Sequence, residues 1–270
     1  MVQLVKRARA PIAAAVIQAL VAAAVLMAPA AASAQVAQAD KWPSALAPAN
    51  LKKVKKPPVD LTGTYRMVND QKNGGVNFLP APKFTAPAQE AMAKNVEYTK
   101  KGLQYRDDSG ACWPLGVPRL MTRAWPIQII QLPTMVQLTS MFNNSIRWIY
   151  TDGRPHPKDE DLIETYNGHS IGHWEGKTLV VDTIGMTDDH KWIQAGIPSS
   201  NQLRVIERYT LTPDGKALDV DFKMTDPVNW EGEWNSTKRF TRQNDMDIEE
   251  HVCILEQMKM LPSFKYNIRE

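Results

Sequence analysis

From Ile127 onward the chain is a near-continuous run of short alternating segments separated by tight-turn residues, and this pattern limits the folds open to it. Ile127–Leu132, Met135–Ser140 and Ser145–Tyr150 read as successive strands, with Pro133-Thr134 and Asn143-Asn144 at the turns. Gly168–Trp174 and Thr178–Thr183 flank Glu175-Gly176, a two-residue glycine turn between strand formers, which is the pattern of a hairpin. Leu203–Leu211 and Ala217–Met224 flank Pro213-Asp214-Gly215 in the same way. Trp234–Thr241 and His251–Gln257 add the last strands, and Asp60–Val68 the first. About ten strands joined this tightly make an antiparallel sheet that must curl, close or split. Closure removes exposed edges, so the expected fold is mainly β: an antiparallel barrel of the calycin or lipocalin kind, with a β-sandwich as the alternative. One helix is expected over Thr85–Lys101, with Thr85 as cap, Pro87 in the first turn, basic residues late and Gly102 as terminator.

The beginning of the chain reads differently. Lys6, Arg7 and Arg9 precede an apolar run from Pro11 to Pro29, and Ala32-Ser33-Ala34 closes it. A charged start, an apolar stretch and a small-residue site together describe a secretory signal peptide over residues 1–34. A membrane anchor would need roughly 20 apolar residues without a processing site. Residues 35–58, rich in Ala, Pro and Lys, read as a linker, and residues 59–270 as a single β-rich domain. The expectation is a secreted or periplasmic protein with no membrane span after cleavage.

Charge and cysteine content fit that compartment. The net charge is +3, and the leader holds three positive residues, which leaves the remainder formally neutral. A basic footprint for nucleic acid is absent. Lys52, Lys53, Lys55 and Lys56 read as a solvated part of the linker. Two cysteines, Cys112 and Cys253, are expected to pair as a disulfide in an oxidising compartment.

Several segments resemble a family of secreted bacterial proteins of unassigned function. They are Cys112-Trp-Pro-Leu-Gly-Val-Pro-Arg119, Tyr150-Thr-Asp-Gly-Arg-Pro-His-Pro157, Gly168-His-Ser-Ile-Gly-His-Trp-Glu-Gly-Lys-Thr-Leu-Val-Val-Asp-Thr183 and Glu207-Arg208-Tyr209. The resemblance spans roughly residues 60 to 257 and implies kinship without a defined chemistry. The family pattern has an arginine or lysine before Trp-Glu-Gly, where this chain has His173. More locally, Leu61-Thr-Gly-Thr-Tyr65 resembles the opening strand of lipocalin-type barrels.

Chemistry is sought first among the five histidines. His169 and His173 share a strand face but lie about 13 Å apart along it, too far for one metal ion unless a bulge intervenes. Asp182 follows Leu179-Val180-Val181 in a strand that reads as buried, where a carboxylate needs a partner; His169, His173 and Arg208 are candidates. In Glu207-Arg208-Tyr209, alternation sends Glu207 and Tyr209 to one face and Arg208 to the other. The candidate catalytic set is therefore His169 or His173 as base, Asp182 to orient it, and Arg208 or Tyr209 to stabilise negative charge. Seven of the eight tryptophans lie in the β-rich part, and Trp113, Trp125, Trp174, Trp192, Trp230 and Trp234 are candidate lining for a ligand pocket. Serine-hydrolase elbows, phosphate loops, His-Glu-x-x-His and Cys-x-x-Cys motifs are absent. The expected activity is binding of a small apolar or aromatic molecule without cofactor or metal. The alternatives are a cofactor-independent lyase or isomerase on such a molecule, and a structural partner in the cell envelope.

Overall fold

A computed structural model describes residues 43–52, 56–70, 75–101, 109, 112–189, 192–194 and 196–254. The expected leader, residues 35–42 and 53–55 of the linker, Gly102 and His190 lie outside them. A closed barrel of nine strands organises the described residues, with the neighbour order β1-β11-β10-β9-β6-β5-β4-β3-β2 and β2 returning to β1. The barrel strands are β1 (Gly63–Met67), β2 (Ile127–Gln131), β3 (Met135–Ser140), β4 (Ser145–Tyr150), β5 (His169–Glu175), β6 (Thr178–Ile184), β9 (Arg204–Leu211), β10 (Ala217–Thr225) and β11 (Trp234–Gln243). A separate two-stranded ribbon, β7 (Trp192–Gln194) with β8 (Ile197–Pro198), stands in a stretch that reads as loop in the sequence. The mainly β barrel expected from the turn spacing is the fold, and the sandwich alternative falls away.

Alternation does most of the placing. Along β9, Val205, Glu207 and Tyr209 are buried, while Arg204, Ile206 and Arg208 reach outward. Along β10, Leu218, Val220, Phe222 and Met224 are all buried. A strand has a side-chain period of two, so inward residues from every strand meet in one interior. That interior holds Tyr65, Leu138, Phe222 and Phe240, all at most 2 % exposed. Phe78 packs edge to face on Phe222 and Trp234, and Trp230 does so on Trp234 with ring centres 5.3 Å apart.

The helix α1 (Ala86–Lys100) sits where its sequence signals place it, with Ala88 N–H donating to Thr85 Oγ1 at 3.4 Å. Asn95 ties it to the ribbon by donating to Gly196 O at 3.3 Å. The hairpin turn between β5 and β6 is centred one residue later than expected, on Gly176-Lys177, because Glu175 still pairs with Thr178. Gly176 there has φ +59, a left-handed turn conformation that glycine adopts without a Cβ penalty.

Two expectations are corrected. Residues 251–254 form no strand, and 255–257 lie outside the described residues. The backbone of this segment bonds to side chains instead: His251 N–H donates to Asn144 Oδ1 and Cys253 N–H to Asn143 Oδ1 at 3.1 Å. The sheet is also not wholly antiparallel. β4 and β5 run parallel and pair at only two positions, Ile149 with Ser170 and Tyr150 with Ile171. The long crossover at residues 151–168 permits this direction, since parallel neighbours need a connection longer than a hairpin turn. Cys112 and Cys253 stand as a disulfide pair, with Cα atoms 5.4 Å apart.

Candidate functional site

The short β4–β5 pairing leaves a seam in the barrel wall. Beside it, among the described residues, the first half of β4 has β3 as its only strand neighbour, and a side chain bridges part of the gap. Asn167 Nδ2 donates to Ile146 O at 2.9 Å and to Ser145 Oγ at 3.4 Å. A groove of about 440 Å³ opens along this seam, within the usual size range for small-molecule sites. Trp148, Tyr150, Tyr166, His169 and Pro114 wall it, and Arg147 forms part of its floor. Trp148 is 42 % exposed, although large aromatics are mostly covered in a folded domain. Trp113 adjoins the groove through Tyr166, with ring centres 6.4 Å apart.

Strand alternation explains both layers of the site. In Ser145-Ile-Arg-Trp-Ile-Tyr150, the side chains of Ile146, Trp148 and Tyr150 face out, and Arg147 and Ile149 face in. Arg147 thus enters the barrel, where it is 1 % exposed. Its guanidinium meets Glu207 in a two-pronged contact, NH1 reaching Oε1 at 3.0 Å and NH2 reaching Oε2. Nε donates to Ser170 Oγ at 3.1 Å and NH2 to Thr183 Oγ1 at 2.8 Å. Tyr209 OH donates to Glu207 Oε1 at 2.8 Å and lies 3.4 Å from Arg147 NH1. Burial opposes the guanidinium charge, but Glu207 and Tyr209 outweigh it and raise the arginine pKa. Burial, and the Glu207 charge beside it, push the Tyr209 phenol well above its ordinary value. The cluster is a satisfied buried ion pair with its hydrogen-bond partners, directly behind the groove.

Outside the barrel a second chain of groups runs along the groove wall. His169 from β5 faces outward, and Tyr150 stacks on it with ring centres 5.5 Å apart. Arg154 lies 4.1 Å over the Tyr150 ring and chelates Asp152, its NH2 2.7 Å from Asp152 Oδ2. His156, from the crossover, places its Nδ1 3.0 Å from His169 Nδ1. Its other nitrogen, Nε2, is buried without a hydrogen bond and lies 3.6 Å from Asp182 Oδ2. That distance is an electrostatic contact rather than a hydrogen bond. Asp182 also receives Arg204, with Nε 2.9 Å from Oδ1. Burial, the neighbouring His156 and Arg154 press the His169 pKa down to about 4. Burial pushes Asp182 up, but His156 and Arg204 prevail and hold it at about 2.

The sequence candidates divide between these layers. His169 and Asp182 belong to one cluster, joined by His156. Arg208 does not join them: it faces outward and pairs with Glu175, NH2 to Oε2 at 2.9 Å. Its strand neighbour Tyr209 faces into the barrel, as alternation requires. His173 is on the outer face, 3.1 Å from the same Glu175. Among the tryptophans, Trp230 and Trp234 are each 1 % exposed and belong to the aromatic core. Trp174 packs against the core from the barrel side, and Trp192 is half-buried in the ribbon. Trp125 lies tilted against His251, ring centres 4.5 Å apart, in contact with the segment that carries Cys253. Only Trp113 of the six adjoins the seam groove. Trp148, Tyr150, Arg147 and His156 are additions from the structure. A charged residue inside the apolar alternation of β4 was the one sequence signal for Arg147.

Among the described residues no group of three or more His, Cys, Asp or Glu side chains is placed to hold a metal ion. No described helix is long and apolar enough to cross a membrane. Comparison with protein-family models finds no match, and neither does comparison with curated proteins.

Proposed function

We propose that this protein is exported from the cytoplasm and binds a small aromatic or apolar molecule in the seam groove. The observation that carries the reading is the aromatic wall formed by exposed Trp148 with half-buried Tyr150 and Tyr166 around a cavity of about 440 Å³. Aromatic walls with a few polar groups are the usual lining of small-molecule sites. Large buried side chains such as Tyr65, Phe222, Phe240 and Arg147 occupy the barrel interior, and the groove in the wall is the better candidate for the ligand. Export rests on the leader pattern and on the Cys112–Cys253 pair, which suits an oxidising compartment.

Thermal shift and tryptophan fluorescence against a panel of aromatic and aliphatic compounds test the reading. A hit should weaken about tenfold in Trp148→Ala, roughly 1.4 kcal/mol for one lost aromatic wall. A panel without hits, or a hit indifferent to Trp148→Ala, would remove the groove from consideration. The second reading, a cofactor-independent lyase or isomerase, draws on His169 standing in the groove wall with Asp182 behind it. It requires that a hit be consumed by the wild type and recovered unchanged with His169→Ala.

A further inference from the structure

The polar group the groove offers to a ligand follows from the order of atoms behind it. Asp182 is held as a carboxylate by Arg204, and it can only accept. His156 Nε2 is buried, and the charged oxygen it faces is Asp182 Oδ2 at 3.6 Å. A nitrogen lone pair pointed at a carboxylate is repelled, so Nε2 carries the hydrogen. Neutral His156 then has a lone pair at Nδ1. His169 Nδ1, 3.0 Å away, must supply the hydrogen of that contact. Neutral His169 is left with a lone pair at Nε2, and among the described residues Nε2 makes no hydrogen bond. The tautomer of a histidine is set by the bond its other nitrogen makes; here two rings in series pass that choice from Asp182 to the groove. A second acceptor in the same wall, Asn167 Oδ1, is buried and lacks a donor. Against these acceptors, the cations near the groove are occupied: Arg147 by Glu207, and Arg154 by Asp152.

We infer that the groove selects a hydroxylated aromatic compound, its ring against Trp148 and Tyr166 and its O–H donated to His169 Nε2, with His156 and Asp182 as the positioning residues that keep that nitrogen an acceptor. The inference rests on the groove reading above and adds the chemistry of the ligand. An aromatic without a hydroxyl leaves the acceptor unpaired on binding, which is costly. A carboxylate or phosphate would meet an acceptor in place of a donor. This sets a phenol above its methyl ether and above an aromatic acid.

The test compares 2-naphthol, 2-methoxynaphthalene and 2-naphthoate at neutral pH by calorimetry. The wild type should bind 2-naphthol about three- to tenfold more tightly than the ether, the span of one net hydrogen bond. His169→Phe keeps a ring against Tyr150 and removes the acceptor, so the preference for the naphthol over the ether should vanish. Nitrogen-15 shifts of the His169 ring should report a bare Nε2 in the wild type. In His156→Ala and in Asp182→Asn they should report a mixture of tautomers, a change that lost packing alone would not produce. Equal binding of naphthol and ether, with both weakened by Trp148→Ala, would overturn this inference and leave the groove reading standing. Failure of all three to bind would overturn both. A protonated Nε2 in the neutral wild-type ring would overturn the tautomer chain whatever the affinities, and that measurement does not depend on any variant folding.

Discussion

Replacing Glu207 with glutamine is the sharpest perturbation of the barrel interior. The change is nearly isosteric, so packing is conserved and the charge alone is removed. Glu207 now accepts two bonds from Arg147 and one from Tyr209. An amide can present only one oxygen to that set, and its NH2 would face guanidinium donors. Arg147 is 1 % exposed, so its charge would be left in the barrel without a counter-ion. Breaking a buried pair from one side costs about 3–5 kcal/mol. For a domain of this size, 1 kcal/mol moves Tm by about 2–4 °C, so Tm should fall by about 6–20 °C. Thermal unfolding followed by circular dichroism reads this directly. The double variant Arg147→Met/Glu207→Leu should recover most of the loss, because the uncompensated charge leaves with its partner. A drop below about 2 °C in Glu207→Gln would refute the reasoning, showing that water from the groove solvates Arg147. A double variant as unstable as the single would assign the loss to shape and not to charge.

Acid should weaken the outer cluster in two stages. His169 has a folded-state pKa near 4 against an ordinary 6.5, so the unfolded chain takes up its proton first. Stability from this group is therefore full above about pH 6.5 and declines as pH falls toward 4. Asp182 is depressed to about 2 from 3.8, so its contribution is lost between those values, below the His169 window. Histidine proton NMR should show His169 titrating near pH 4, and a midpoint near 6.5 would contradict its burial beside His156 and Arg154. Reducing the Cys112–Cys253 bridge, which spans a sequence separation of 141, should cost about 3–5 kcal/mol in the chain-entropy model. Denaturant midpoints unchanged by reductant would show that the Asn143, Asn144 and Trp125 contacts hold the segment without it. The Trp148→Ala and naphthol experiments complete the set, on function in place of stability.

The strands were legible because their signals are local. Turn glycines at Gly176 and Gly215, and alternation along β9, β10 and β11, are properties of neighbouring residues, and they place these elements within a residue or two. The failed strand at 251–257 shows the limit of that reasoning. His251-Val-Cys253 has a strand-like composition, but Asn143 and Asn144 from a distant turn took the backbone donors a strand partner would have used.

The site was legible only in part. Periodicity alone placed Glu207 and Tyr209 on one face of β9 and Arg208 on the other. Periodicity does not show which face is the interior, so it leaves Arg208 a candidate partner of His169, whereas Arg147 is the arginine enclosed by the barrel. Both faces of β4 carry apolar side chains, which hid the inward position of Arg147. His156 lies on a loop with no periodic signal, and its role depends on a crossover that brings it to a histidine thirteen positions away. Residue types and alternation, set by the chain itself, decided that this protein would be a β structure with a few charges forced inside. Closure of the barrel, the parallel β4–β5 pairing and the groove it opens are products of long-range packing. Their stabilising contacts exist only once distant strands have met, so no window of sequence contains them.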